Sequence, residues 1–152
     1  KTFTSYAVIC DQKSLGTDAG TFTTGDWRTR DLNTEITDAD GIVSISSNQF
    51  TLQAGTYFIE ASAPAYKVIR HMIKLRQTSG TPADIAFGTS VYAGSSVTLS
   101  NTSVLATRLT ITGATTYEIQ HDCTETSTTY GFGVGGDRGV EKYTVVKIYK
   151  EA

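Results

Sequence analysis

Chemistry in this chain would have to start from His71 and His121, from Cys10 and Cys123, and from the acidic turn Asp38-Ala39-Asp40-Gly41. A catalytic site usually needs a nucleophile with its base, a carboxylate pair or a metal cluster, and the chain has no G-x-S-x-G, no H-E-x-x-H and no phosphate-binding loop. No catalytic activity and no cofactor are therefore expected. Two cysteines are too few for a disulfide scaffold and, with only two histidines, for a structural zinc site. Cys10 and Cys123 could form one bridge if the fold brings the chain's two ends together, or they could be free thiols in the core. His71, His121 and Cys123 could meet on neighbouring strands as a ligand trio. Both histidines fall on apolar faces, however, which favours buried, hydrogen-bonded rings and no metal. Calcium asks for roughly six to eight oxygens, so Asp38 and Asp40 without further acidic ligands read as a solvated turn. Trp27 could offer a stacking platform for a sugar, but packing is the favoured role.

These groups must be carried by strands. Threonine is the commonest residue, glycine numbers 14 and proline only 2, and no window shows apolar residues at a 3.6-residue period. Apolar or alternating runs recur instead: YAVIC from Tyr6, IVSIS from Ile42, QFTL from Gln49, YFIEASA from Tyr57, VIRHMIKL from Val68, VLATRLTI from Val104, YEIQ from Tyr117 and YTVVKIY from Tyr143. Turn residues separate them at Asp38 to Gly41, Ser47 and Asn48, Gly94 to Ser96, and along GFGVGGDRG from Gly131. With 152 residues the chain suits one domain, 1–152, and eight or more strands point to an all-β sandwich or jelly roll. The formal charge of −2 supplies no basic field for nucleic acid, and no apolar run approaches the length that crosses a bilayer, so a soluble chain is expected.

Alternation assigns faces. In VIRHMIKLR the set Ile69, His71, Ile73 and Leu75 is core, and Val68, Arg70, Met72, Lys74 and Arg76 lie opposite. In TYEIQHDC the core set is Tyr117, Ile119, His121 and Cys123. If the two strands are neighbours, Arg70, Lys74 and Arg76 can pair with Glu118 and Asp122 across the surface, at about 0.2–1 kcal/mol each.

The run GIVSISSNQFTLQAGTYFIEASA, Gly41 to Ala63, has the order hairpin, apolar strand, Gly-x-Tyr turn, alternating strand. That order resembles the C1q and tumour-necrosis-factor jelly roll, as do the Trp-containing GDWRTRDLN upstream and the closing strand YTVVKIYKEA. TFTTGDWRTRDLNTEI, SSNQFTLQAGTYFIEASAPAY, RHMIKLR, YEIQHDC, GFGV and GVEKYTVVKI look most like C1q-like tip domains at the ends of phage tail fibres. The likeness spans nearly the whole chain. It implies a two-sheet antiparallel sandwich that assembles as a homotrimer, one sheet facing the three-fold axis and the loops at one end free for ligand.

By that resemblance Phe58, Glu60, Ser62, Arg108, Val145, Lys147 and Tyr149 face the axis. Three copies of Glu60 would repel there, so Lys147 or Arg108 is expected to neutralise each. Ser127 to Tyr143 is the candidate ligand loop, with Tyr130, Phe132, Asp137 and Arg138 supplying aromatic and polar groups of the kind that bind saccharides, beside Tyr66 and Tyr92. The expected role is the C-terminal receptor-binding tip of a virion fibre, holding a bacterial surface glycan or protein through three identical sites. A fibre-capping trimerisation module without ligand and a secreted C1q-like lectin or signalling ligand are the alternatives.

Overall fold

In the computed structural model, which describes residues 1–94 and 98–152, all eight alternating runs are strands. One antiparallel sheet contains β1 (Phe3–Lys13), β3 (Thr34–Thr37), β6 (Gly55–Tyr66), β10 (Ser100–Ile111) and β12 (Glu141–Glu151), in the order β10-β6-β12-β1-β3. The second contains β4 (Val43–Ser46), β5 (Gln49–Leu52), β7 (Arg70–Gln77), β8 (Ala83–Phe87) and β11 (Thr115–Cys123), in the order β4-β5-β11-β7-β8. The short β2 (Arg28–Thr29) joins β11 and the short β9 (Val91–Tyr92) joins β7. The two sheets form the expected jelly-roll sandwich. Among the described residues no helix is long and apolar enough to cross a membrane. The turn expected at Gly94 to Ser96 lies largely outside the described residues.

The core follows from alternation. Ile9, Ile59, Val146 and Ile148 of the first sheet meet Phe50, Leu52, Ile73, Leu75, Tyr117 and Ile119 of the second, and all are buried. Each such side chain contributes about 1.5–3 kcal/mol on burial. A smaller cluster of Phe22, Ala65, Val68, Ala93 and Cys123, with Phe132 against it, fills one end. The β4–β5 hairpin turns on Ser47 and Asn48, both at positive φ (52° and 62°), the two-residue geometry whose twist matches that of paired strands.

Two readings need correction, and the open alternative for the two thiols resolves to free thiols. Val68 is buried and Ile69 is only half-buried, the reverse of the alternation, because Lys67 and Ile69 have positive φ and the strand proper begins at Arg70. Lys74 and Arg76 of the basic stripe of β7 are neutralised from the other side. Asp84 of β8 sits 3.0 Å from Lys74 and 2.9 Å from Arg76, while Glu118 accepts from Thr29 and Gln120. Cys10 and Cys123 are buried free thiols in different sheets and form no bridge.

Candidate functional site

The strands place the long connections at one end, where β1, β6 and β11 finish and β7, β10 and β12 begin. The glycine-rich candidate loop is laced down over its first half. Phe22 and Ser127 exchange backbone hydrogen bonds, Gly20 donates to Thr129, Phe132 donates to Gly20, and Tyr66 donates to Gly131. A Cβ on Gly131 would collide with the Ser127 carbonyl and the Phe22 main chain, so only glycine lets these segments approach. Phe132 turns inward and stacks on Phe22, with ring centroids 4.4 Å apart, and packs half-buried against the smaller cluster. Tyr66 and Tyr130 meet edge to face at 5.9 Å, with Tyr130 exposed. Asp137 and Arg138 stay at the exposed tip, which is fastened by the Asp18 and Glu141 carboxylates accepting from Gly135, Gly136 and Asp137 N–H groups.

Behind this end lies a polar node inside the sandwich. Asn101 of β10 donates through its amide nitrogen to the Tyr92 carbonyl at 2.7 Å, so its Oδ1 accepts from Nε2–H of His71 at 2.7 Å. His71 Nδ1 is then the acceptor for His121 Nε2–H at 2.9 Å, and His121 Nδ1 is left as a bare, buried lone pair with no partner among the described residues. Arg30 is fully buried, donating to Thr144 Oγ1 at 2.7 Å and to the Phe132 and Pro64 carbonyls, with its guanidinium 4.4 Å from the Phe132 ring centre. Burial pulls the Arg30 pKa down to about 10, and burial together with the Arg30 charge holds His121 well below the usual imidazole value. His71 is lowered chiefly by burial. The histidines are thus hydrogen-bonded core groups. Cys123 donates its thiol to the Glu125 carbonyl at 3.3 Å, and burial raises its pKa to about 11, which favours the thiol over the thiolate. Asp38 of the acidic turn accepts from the Ile42 and Val43 N–H groups at 2.8 and 3.0 Å, and among the described residues no cluster could hold a metal ion. Arg30 was missed in the sequence, although it stands two residues before the buried Leu32.

The outward face of the second sheet carries a cavity of about 460 Å³ lined by Trp27, Arg70, Met72, Ser90, Tyr92, Asp122 and Thr124. Register places Met72 opposite Asp122 and Arg70 opposite Tyr92. Trp27 both packs and borders the cavity: the Lys74 ammonium lies 4.0 Å from its ring centre and Phe87 is 6.2 Å away. Tyr92 is 59% exposed and Phe87 57%.

The outward face of the first sheet carries the residues expected at the axis. One cross-strand row reads Arg108, Phe58, Tyr149, Tyr6, and the next reads Ala106, Glu60, Lys147, Val8. Phe3, Phe58 and Tyr149 cluster with centroids 5.4–6.4 Å apart, and Phe3, Tyr6 and Val104 are 45%, 58% and 45% exposed. Ser62 and Val145 lie opposite each other on the same face. Arg108 does not serve Glu60. It makes a two-pronged pair with Glu151, at 2.7 and 3.0 Å, because its row faces Phe58. Lys147 stands directly opposite Glu60, and no ion pair within 4.0 Å joins them among the described residues.

No family model and no curated protein matches the sequence. Solved structures do match along nearly the whole chain. The globular domain of zebrafish complement 1qA protein aligns with TM-score 0.61 at 15% identity, over 97% of this chain and 98% of that one. Murine APRIL at pH 5.0 aligns with TM-score 0.67 at 8% identity, over 97% and 98%. The TNF Eiger from S. frugiperda aligns with TM-score 0.62 at 11% identity, over 97% and 92%. The fold is the C1q/tumour-necrosis-factor jelly roll. That likeness describes architecture, and function has to be argued from the surfaces.

Proposed function

We propose that the protein is a non-enzymatic recognition domain that works as a homotrimer, the receptor-binding tip of a phage or phage-like tail fibre, and that it holds a polysaccharide or protein on a bacterial surface. The observation that carries this reading is the outward face of the first sheet. Phe3, Tyr6, Phe58, Val104 and Tyr149 form an aromatic and apolar patch around Glu60 and Lys147, which an isolated chain would leave in water. Assembly through this face, the arrangement that the sequence resemblance implies, covers the patch and leaves the long connections at one end for ligand. Tyr66, Tyr130, Asp137, Arg138 and Tyr92 remain available there, and three copies would multiply a weak single contact.

The native mass of the purified chain tests the assembly: about three times 16.3 kDa is expected, and a stable monomer would remove it. Retention of the domain on host cells then tests recognition. A ligand-free capping module is favoured by one feature, the inward Phe132 on a loop laced to Gly20 and Phe22, and it predicts the trimer without retention.

A further inference from the structure

We infer that the cavity between Trp27 and Tyr92 on the outward face of the second sheet binds a saccharide unit that carries a carboxylate. This deepens the recognition reading and rests on it for the source of the saccharide, a bacterial surface. The volume of about 460 Å³ lies in the range of small-ligand sites. Met72, opposite Asp122 in the β7–β11 register, gives an apolar floor, while Trp27 and the exposed ring of Tyr92 give two aromatic borders. Aromatic faces beside hydrogen-bonding groups match the C–H face and hydroxyl rim of a pyranose, and Ser90, Thr124 and Asp122 supply the polar groups.

Charge selects among saccharides. Lys74 and Arg76 are both held by Asp84. Arg70, on the same stripe, has no carboxylate within 4.0 Å among the described residues, and its guanidinium lies exposed, 5.9 Å from the Tyr92 ring centre. Asp122, the carboxylate of the cavity, accepts the N–H of Cys123 at 2.8 Å and makes no ion pair within 4.0 Å with Arg70 among the described residues. Arg70 is therefore a free planar fork at the rim, the geometry that takes a carboxylate through two parallel hydrogen bonds. Arg70, the one arginine or lysine lining the cavity among the described residues, fits one carboxylate better than a run of phosphates.

Trp27 is the chain's sole tryptophan, so the emission comes from one wall of this cavity and from the Lys74 and Phe87 edge on which that ring packs. The full chain is titrated with trigalacturonic acid, 3′-sialyllactose and a hyaluronan tetrasaccharide, with maltotriose and lactose as neutral probes. At least one acidic probe should shift the Trp27 emission saturably and bind about tenfold more tightly than either neutral sugar. Arg70→Gln should abolish that preference with the melting temperature unchanged, and Tyr92→Ala should weaken every probe that binds. No saturable change with any acidic probe up to about 10 mM, or equal affinity for neutral sugars, overturns the inference. Retention on host cells that survives both substitutions would also overturn it while leaving the recognition reading intact. Saturable acidic binding without retention on cells would instead keep the cavity and remove the recognition role.

Discussion

His121 and Arg30 decide how the interior responds to acid. An unfolded imidazole takes up its proton near pH 6.5, whereas burial and the Arg30 charge lower His121 well below that, and burial lowers His71. Below about pH 6.5 the unfolded chain therefore binds more protons than the native one, so the stability from the pair is complete above that pH and is lost as the pH falls toward the native values. Urea midpoints should drop between pH 6.5 and 5, with a limiting slope of about 1.4 kcal/mol per pH unit for each histidine. His121→Gln keeps an N–H donor for His71 and should shed the His121 share of that slope; an unchanged slope would place the acid sensitivity elsewhere. Arg30 holds Thr144, Pro64 and Phe132 together, joining β12, β6 and the glycine-rich loop. Arg30→Leu should cost about 3 kcal/mol or more in urea unfolding, because it strands buried acceptors as well as deleting bonds.

At the scale of elements, the β7–β8 edge controls the surroundings of Trp27. Lys74 is nearly buried under Trp27 and Phe87, and its charge is answered by Asp84 across the register step between β7 and β8. Asp84→Asn should lower stability by about 1–3 kcal/mol in thermal or urea unfolding and shift the Trp27 emission, while Asp122→Asn should do neither. The reverse outcome would restore the β7–β11 pairing that the sequence suggested. Strand runs and their inward faces were legible because period-two alternation and turn residues are local signals, as in Tyr57, Ile59 and Ala61 against Phe58, Glu60 and Ser62. β3 and β8 were not, because TEIT and ADIAF are short and mostly half-exposed. The inward turn of Phe132 was equally hidden, since it depends on Phe22, more than a hundred residues away in sequence. Trp27 was legible as a packing residue but not as a cavity wall, because Tyr92 reaches the same face only through the pairing of β9 with β7.

For the molecule as a whole, the Glu60–Lys147 row links charge to assembly. The two residues oppose each other on neighbouring strands at the middle of a face whose flanks are aromatic and apolar. In water such an exposed pair is worth little, about 0–1 kcal/mol, so a monomer should tolerate its loss. Between subunits water is excluded and opposite charges must balance, so the same change becomes decisive. Lys147→Glu puts two carboxylates per chain in that row, six in a trimer, and should give a folded monomer by native mass with near-normal circular dichroism. Glu60→Gln should leave that face with an unanswered Lys147 and weaken the trimer more modestly. The double exchange Glu60→Lys with Lys147→Glu restores neutrality in the same row and should recover the trimer. Recovery would show that the two charges act as a pair at the interface. A trimer untouched by Lys147→Glu would mean that this face is exposed in the assembly, and Phe58 and Tyr149 would then need another partner.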